Sequence, residues 1–122
     1  LCYNNRVKNQ QNQSNLQTWA TAGQSGAKRL LNSFLTPEPE RWPHAFLFFG
    51  PRGVGKFKLA REFTDKLGLA SGARLEHYEF DFAETNSLDE LRELVHLSSL
   101  TSADGGKKVF LLRSFYPFRY YI

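Results

Sequence analysis

Runs of apolar residues predict three β-strands. The segment His44–Phe49 carries bulky apolar side chains at consecutive positions, which is typical of a parallel strand buried on both faces. The segment Glu76–Phe82 alternates instead, with aromatic residues on one face and mostly charged residues on the other, so it predicts a strand at a sheet edge. Lys108–Leu112 is again apolar on both faces and predicts a third strand.

Between and before these strands, apolar residues recur at helical spacing. One helix is predicted from about Gly26 to Leu35. It ends there because proline, which cannot continue a helix, follows closely. A second is predicted from about Gly55 to Leu67, with Gly68 as its C-cap. A third begins at the capping box Ser87–Glu90 and continues to about residue 100. The order β–α–β–α–β predicts an α/β fold with a parallel sheet.

The two ends of the chain do not fit this pattern. Residues 1–17 are polar and include the low-complexity run Asn9–Gln13, so we expect a disordered leader there and interpret residues 18–122 as the N-terminal part of one domain. The last nine residues, Ser114–Ile122, fit either a strand end with an apolar tail or a truncated terminus. Since the chain also lacks methionine, we interpret it as a fragment whose sheet is truncated after the third strand.

Composition narrows the class of protein. A hydrophobic fraction of 41% can build a core, and a net charge of +4 permits a nucleic-acid partner without requiring one. The single cysteine, Cys2, excludes an internal disulfide and suits a reducing compartment, so we expect a cytoplasmic protein. No apolar run approaches the roughly 20 residues of a membrane span, so no membrane partner is predicted.

A glycine-rich loop between the first strand and the second helix carries the candidate chemistry. Gly50–Lys56 matches the first seven positions of the P-loop pattern G-x-x-x-x-G-K-[ST]. Such a loop turns backbone N–H groups and a helix N-terminus towards phosphate oxygens, and the lysine adds a positive charge. The pattern predicts ATP or ADP as the ligand. The predicted nucleotide-binding residues are Gly50, Pro51, Arg52, Gly53, Val54, Gly55, Lys56 and Phe57.

The residues that would hold Mg²⁺ in such a site are replaced. Phe57 stands where Ser or Thr would place a hydroxyl on the metal. After the third strand, Arg113 and Ser114 stand where P-loop proteins carry an acidic residue. Because both kinds of ligand are missing, we predict no metal site, no catalytic residue and negligible hydrolysis by this chain alone.

Other charged residues are interpreted as structural. The three histidines share no metal-binding spacing: His44, His77 and His96. The helix after the glycine loop is interpreted as having a solvated, ion-paired face, with contact to a nucleic-acid backbone as the alternative; its charged residues include Lys58, Arg61, Glu62, Asp65 and Lys66. Asp81 and Glu84 lie at a strand end, where a catalytic role is the alternative, but without a neighbouring base or metal partner we do not predict one.

Four segments in order resemble one family. HAFLFFGPRGVGK, residues 44–56, resembles the H-A-Y-L-F-x-G-x-x-G-x-G-K stretch of AAA+ clamp-loader subunits of bacterial DNA polymerase III. Gln17–Gln24 is similar to their Q-T-F-x-x-x-G-Q segment, which implies Gly23 and Gln24 as adenine-region residues. Residues 79–81 and then 87–94 are similar to their E-I-D strand and V-D-E-I-R-E-L helix. Residues 108–112 are similar to the start of their Walker B strand.

The resemblance implies a delta-prime-type subunit with a degenerate nucleotide site. Such a subunit would assemble with other clamp-loader subunits and act through that assembly on the sliding clamp and primer-template DNA. The chain departs from the family where a short loop, Gly68–Arg74, replaces the zinc module of many members and where Asn15–Leu16 replaces Arg-Pro. The alternatives are an active AAA+ ATPase, such as a gamma/tau-type motor subunit, and a phosphate-binding domain of the nucleotide-kinase kind.

Overall fold

The computed structural model describes residues 18–72, 74–83, 87–102 and 105–113. Within these ranges the chain forms three α-helices, one 3-10 turn and a parallel sheet of two strands, so the α/β class is confirmed. In chain order the elements are α1 (Ser25–Asn32), the 3-10 turn (Pro39–Arg41), α2 (Lys56–Ser71), β1 (Leu75–Asp81), α3 (Ser87–Ser99) and β2 (Lys107–Arg113). The predicted leader, Glu84 and residues 114–122 lie outside the described residues.

The chain divides after residue 73 into two compact units. The described part of the first unit, residues 18–72, has its core along α2. One face of α2 is buried through Leu59, Ala60, Phe63 and Leu67, at the three- and four-residue spacing that the sequence shows. The ring of Phe46 packs edge-on between two other rings, with centroids 5.4 Å from Phe34 and 5.0 Å from Phe63.

The predicted strand at His44–Phe49 is wrong. These residues are irregular, and neither strand of the described sheet pairs with them. Leu47 is 84% exposed and Phe49 is 85% exposed, so the segment is not covered on both faces. A strand exists only where a second backbone accepts and donates its hydrogen bonds, and an apolar run cannot show from sequence whether that second backbone is there.

Helix α2 extends one turn beyond the predicted end. It begins at Lys56, with Gly55 as N-cap in a left-handed conformation (φ 86°). It continues through Gly68 and ends at Ser71, where Gly72 (φ 63°) donates its N–H to the Gly68 carbonyl at 3.1 Å. Two glycines could end this helix by the C-cap rule, and the residues between them favour helix enough to choose the second.

The second unit is a β–α–β arrangement. β1 and β2 are parallel, in a register that runs from Leu75 opposite Lys107 to Asp81 opposite Arg113. The predicted alternation of β1 is confirmed: its aromatic residues lie half-buried, and Tyr78 stacks on Phe110 of β2 with centroids 5.2 Å apart. Both strands lie within one residue of their predicted bounds at each end.

Polar contacts fix the connections of this unit. The ammonium of Lys108 donates to the carbonyls of Leu97 and Leu100, at 2.8 and 2.6 Å, and so satisfies acceptors at the C-terminal end of α3. Glu76 on β1 accepts hydrogen bonds from the hydroxyls of Ser102 and Tyr78. The hydrogen bond from Tyr78 to this carboxylate raises the pKa of Tyr78.

Candidate functional site

The glycine loop, residues 50–55, leads directly into α2. The Nζ atom of Lys56 donates to the carbonyl oxygens of Gly50 and Pro51, at 2.8 and 2.5 Å. The lysine therefore folds back across the loop that the sequence predicts for phosphate. Of the predicted nucleotide-binding residues, those at 50–53 are exposed and those at 54–57 are half-buried.

The N-terminal end of α2 is positively charged. Its first turn contains no acidic residue and begins Lys56-Phe57-Lys58. A helix N-terminus carries a partial positive charge from its backbone dipoles and presents N–H groups outward. Two lysines in the same turn add to that charge, so an anion is favoured at this end of the helix.

Phe57 is engaged with a cation. The guanidinium carbon of Arg61, one turn further along α2, lies 4.8 Å from the centre of the Phe57 ring. This is a cation–π geometry. At the position where a P-loop would offer a hydroxyl to Mg²⁺, the structure places an aromatic ring beside a positive charge.

A segment from the start of the described chain is anchored on α2. We call residues 18–21 the anchored segment. The carboxylate of Glu62 accepts hydrogen bonds from the backbone N–H groups of Ala20 (2.5 Å) and Thr21 (3.0 Å) and from the Thr21 hydroxyl (2.7 Å). Thr21 is 4% exposed, and its methyl carbon would lie 3.6 Å from a Cβ built on Gly55. The anchored segment therefore lies against the end of the glycine loop.

Lys66, one turn after Glu62, makes a second anchor. Its ammonium donates to the Thr18 carbonyl at 2.6 Å and lies 5.0 Å from the centre of the Trp19 ring. The Trp19 indole N–H donates to the Asn32 side chain at 3.1 Å, and the Lys28 ammonium donates to the Thr21 carbonyl. The anchored segment is thus joined to both α1 and α2.

These contacts change the acidity of both anchors. Burial raises the pKa of Glu62, but the hydrogen bonds from Thr21 and Ala20 and the charge of Lys66 outweigh it, so that the pKa lies below its usual value. Burial lowers the pKa of Lys66, and the charge of Glu62 opposes that shift in part.

The interpretation of this helix face as solvated is therefore wrong for two of its five charged residues. Lys66 is 5% exposed and Glu62 is half-buried, whereas Lys58, Arg61 and Asp65 are exposed. The sequence contained one usable signal. Glu62 and Lys66 lie four residues apart, directly beside the apolar positions of α2, which places them at the border of the buried face. Their partners are mainly backbone atoms, which no sequence pattern marks.

The predicted adenine-region residues follow the anchored segment. Gly23 (φ 67°) and Gln24 (φ 56°) both have left-handed backbone conformations, and both are exposed. Gln24 is the N-cap residue of α1, and its carbonyl accepts the Lys28 N–H at 3.0 Å. A left-handed conformation is unfavourable for glutamine, so this turn depends on the contacts on either side of it.

In the second unit, the carboxyl ends of the strands carry an ion pair. The Nε atom of Arg113 lies 3.8 Å from a carboxylate oxygen of Asp81, and the other carboxylate oxygen accepts the Ala83 N–H at 3.0 Å. The Asp81 carboxylate is thus held by the Arg113 guanidinium and by the backbone N–H of Ala83. Across the described ranges, no three His, Cys, Asp or Glu side chains are grouped so that they could hold a metal ion.

Two further findings do not concern a particular residue. No helix in the described part of the chain is long and apolar enough to cross a membrane. Comparison of the chain with models of protein families, with curated proteins and with solved structures found no match.

Proposed function

We propose that this protein is a nucleotide-binding subunit of the clamp-loader kind, of delta-prime type, whose glycine loop holds the phosphates of ATP or ADP without hydrolysing them. One observation carries the nucleotide part: the Lys56 ammonium donates to two carbonyls of its own loop at the positive end of α2. A phosphate oxygen is a stronger acceptor than a carbonyl, because it is charged. A bound nucleotide would therefore take over this lysine.

The base end of the nucleotide is assigned to Gly23 and Gln24. They follow the anchored segment, which lies against Gly55 at the end of the loop. If the phosphates of a ligand occupied the loop, the anchored segment would lie beside that ligand. The assignment of the adenine itself rests on the sequence resemblance.

The proposed lack of hydrolysis rests on two sequence positions, one in each unit, at which P-loop proteins carry metal ligands. Phe57 offers a ring that faces Arg61 in place of a hydroxyl, and Arg113 pairs with Asp81 where an acidic ligand would stand. Neither arginine nor phenylalanine supplies the oxygen that Mg²⁺ requires. The function proposed for the site is therefore occupancy by a nucleotide rather than turnover.

The wider role is assembly. Four sequence segments in the order of the clamp-loader subunits support it, and they imply a cytoplasmic complex with other clamp-loader subunits. Through that complex the protein would act on a sliding clamp and primer-template DNA. Size-exclusion chromatography of the chain mixed with purified bacterial clamp-loader subunits tests this role, and separate elution at micromolar concentrations would contradict it.

The nucleotide proposal is tested by calorimetric titration of ATP and ADP into the wild type and two lysine variants. Lys56→Ala should weaken binding at least about tenfold, or roughly 1.4 kcal/mol. Lys58→Ala is the matched control, because Lys58 is exposed in the same helical turn and should change affinity less than about threefold if only long-range charge acts. Equal affinity of Lys56→Ala and wild type would overturn the proposal.

ATP turnover measured on the same samples distinguishes a non-hydrolysing subunit from a motor subunit. With Mg²⁺ and ATP present, we expect turnover well below about 1 s⁻¹, the lower end of ordinary enzyme rates. Turnover at or above that rate would favour the active ATPase instead.

A further inference from the structure

Glu62 is the residue that joins the anchored segment to the helix of the proposed phosphate site. We infer that Glu62 is a positioning residue for the base end of the nucleotide: by holding residues 20 and 21 against the glycine loop, it places the Gly23–Gln24 turn within reach of a ligand in that loop. This inference rests on the proposed function, and it assigns to Glu62 a role that the loop motif does not include.

The first support is the convergence of donors. Three hydrogen-bond donors from two consecutive residues meet on one carboxylate. Only an ionised carboxylate offers enough acceptor sites for all three without presenting a donor of its own. Because Thr21 is buried, loss of this acceptor would leave its N–H and hydroxyl to be satisfied elsewhere, which is unfavourable. The contact therefore fixes the position of Thr21 firmly.

The second support is the short path from Thr21 to the turn. Two residues of extended chain span at most about 7 Å, so Gly23 lies no further than that from Thr21 along the backbone. Thr21 in turn lies beside Gly55, the last glycine before Lys56. The turn is consequently tethered close to the end of the loop, and the tether passes through Glu62.

The third support is the direction of the segment. Lys66 holds the Thr18 carbonyl one helical turn beyond the place where Glu62 holds residues 20 and 21. Two anchors that are four residues apart on α2 align the segment along the helix axis. Its continuing end is thereby directed towards the N-terminus of α2, where the glycine loop lies.

The test compares a ligand that has a base with one that has only phosphates. ATP and inorganic tripolyphosphate are titrated into wild type, Glu62→Ala, Glu62→Gln and the control Asp65→Ala, which removes an exposed acid from the same helix. We expect Glu62→Ala to lower ATP affinity about tenfold, equivalent to losing one charged hydrogen bond, while tripolyphosphate affinity stays within about twofold. Glu62→Gln, which keeps an acceptor oxygen, should fall between Glu62→Ala and wild type.

A milder pair of variants covers the case in which Glu62→Ala does not fold. Thr21→Val removes only the hydroxyl donor, and Thr21→Ser retains it. Thr21→Val should lose ATP affinity selectively, and Thr21→Ser should restore it. In a Trp42→Phe background Trp19 is the remaining tryptophan, so its emission reports whether the anchored segment is still in place. A red shift with Thr21→Val and none with Thr21→Ser is expected.

The outcomes separate the two proposals. ATP affinity that is unchanged in the Glu62 and Thr21 variants overturns the positioning role and leaves the nucleotide site standing. An equal loss of ATP and tripolyphosphate affinity also overturns it, since Glu62 would then act on the loop or on folding. If the wild type binds neither ligand, the proposed function fails and the inference fails with it.

Discussion

In each unit of this protein, a glutamate and a lysine hold irregular chain against a regular element. In the first unit, both anchors lie on α2, where Glu62 and Lys66 bind the anchored segment. In the second unit they lie on two strands: Glu76 on β1 accepts from Ser102, and Lys108 on β2 donates to the Leu100 carbonyl, directly after α3. The same two side-chain types thus perform the same local task in both units.

The units differ in how far along the sequence these contacts reach. The anchors of the first unit join residues separated by 41 to 48 positions. In the second unit, Glu76 and Ser102 are 26 positions apart, and Lys108 reaches only 8 and 11 positions back to cap the helix that precedes its own strand. The short contacts close a β–α–β connection. The long contacts bring a distant segment to the glycine loop, which belongs to the first unit.

The largest effect is expected in the core that supports the long contacts. Phe63 is 2% exposed and its ring packs edge-on against Phe46. Phe63→Ala should lower the stability of the first unit by about 3–5 kcal/mol, since it removes buried area and leaves a cavity. Hydrogen exchange of the α2 amides measures this loss.

Leu69→Ala is the matched control for that substitution. Leu69 lies on the same helix and is 52% exposed, so its replacement should change α2 exchange by less than about 1 kcal/mol. The amides of β1 and β2 serve as an internal reference in both variants. If Phe63→Ala raised exchange in the strands as much as in α2, the two units would unfold together, and the loss of stability would not be confined to the first unit.

A smaller loss of stability is expected when the short contacts of the second unit are removed. Lys108→Ala removes the donor to the Leu97 and Leu100 carbonyls and should lower the stability of this unit by about 1–2 kcal/mol, because at least one acceptor then turns to water. The adjacent Lys107→Ala is the control, since Lys107 is exposed. Thermal unfolding followed by far-UV circular dichroism compares the two. Equal melting temperatures would show that the Lys108 contacts contribute nothing measurable.

The same contrast explains what the sequence could predict. The bounds of β1 and β2 are predicted to within one residue because the alternation of β1, the apolar run of β2 and the helical pattern between them are all local features of the sequence. The apolar run at 44–49 has an equally strong local signal, but a strand there requires a second backbone, and neither described strand pairs with it. Gly106 shows a further limit of prediction from sequence. A Cβ there would lie 2.6 Å from the Arg74 carbonyl oxygen, and nothing in the sequence indicates this close approach.

For the candidate site, the sequence predicts the loop and the helix but not the anchors. Gly55 and Lys56 follow a known pattern, and α2 begins where that pattern places it. The prediction that Glu62 lies on a solvated face is wrong. It rests on the rule that carboxylates on a lysine-rich helix are usually solvated. Its actual donors are two backbone N–H groups and one hydroxyl of a segment more than forty residues away. The roles predicted for residues 50–57, Gly23 and Gln24 stay predictions.

The smallest effect on stability is expected from a fall in pH. Because the folded state holds the pKa of Glu62 below its ordinary value of 4.5, ionised Glu62 stabilises the first unit above that pH, and the contribution is lost as pH falls below it through the folded-state pKa. The cations that face this carboxylate or its segment are Lys66 and Lys28. The gain is modest, since burial of the carboxylate opposes the hydrogen bonds.

The measurement is urea unfolding between pH 5 and pH 3, followed by Trp19 emission in the Trp42→Phe background. Wild type should lose more stability over this range than Glu62→Gln, whereas Asp65→Asn should behave as wild type, because its exposed carboxylate receives no such set of donors. Exchange of the β1 and β2 amides should show the same acid dependence in every variant. If Glu62→Gln were as acid-sensitive as wild type, the carboxylate would not be the charged acceptor for the anchored segment, and the long-range contact that distinguishes the first unit from the second would need a different physical basis.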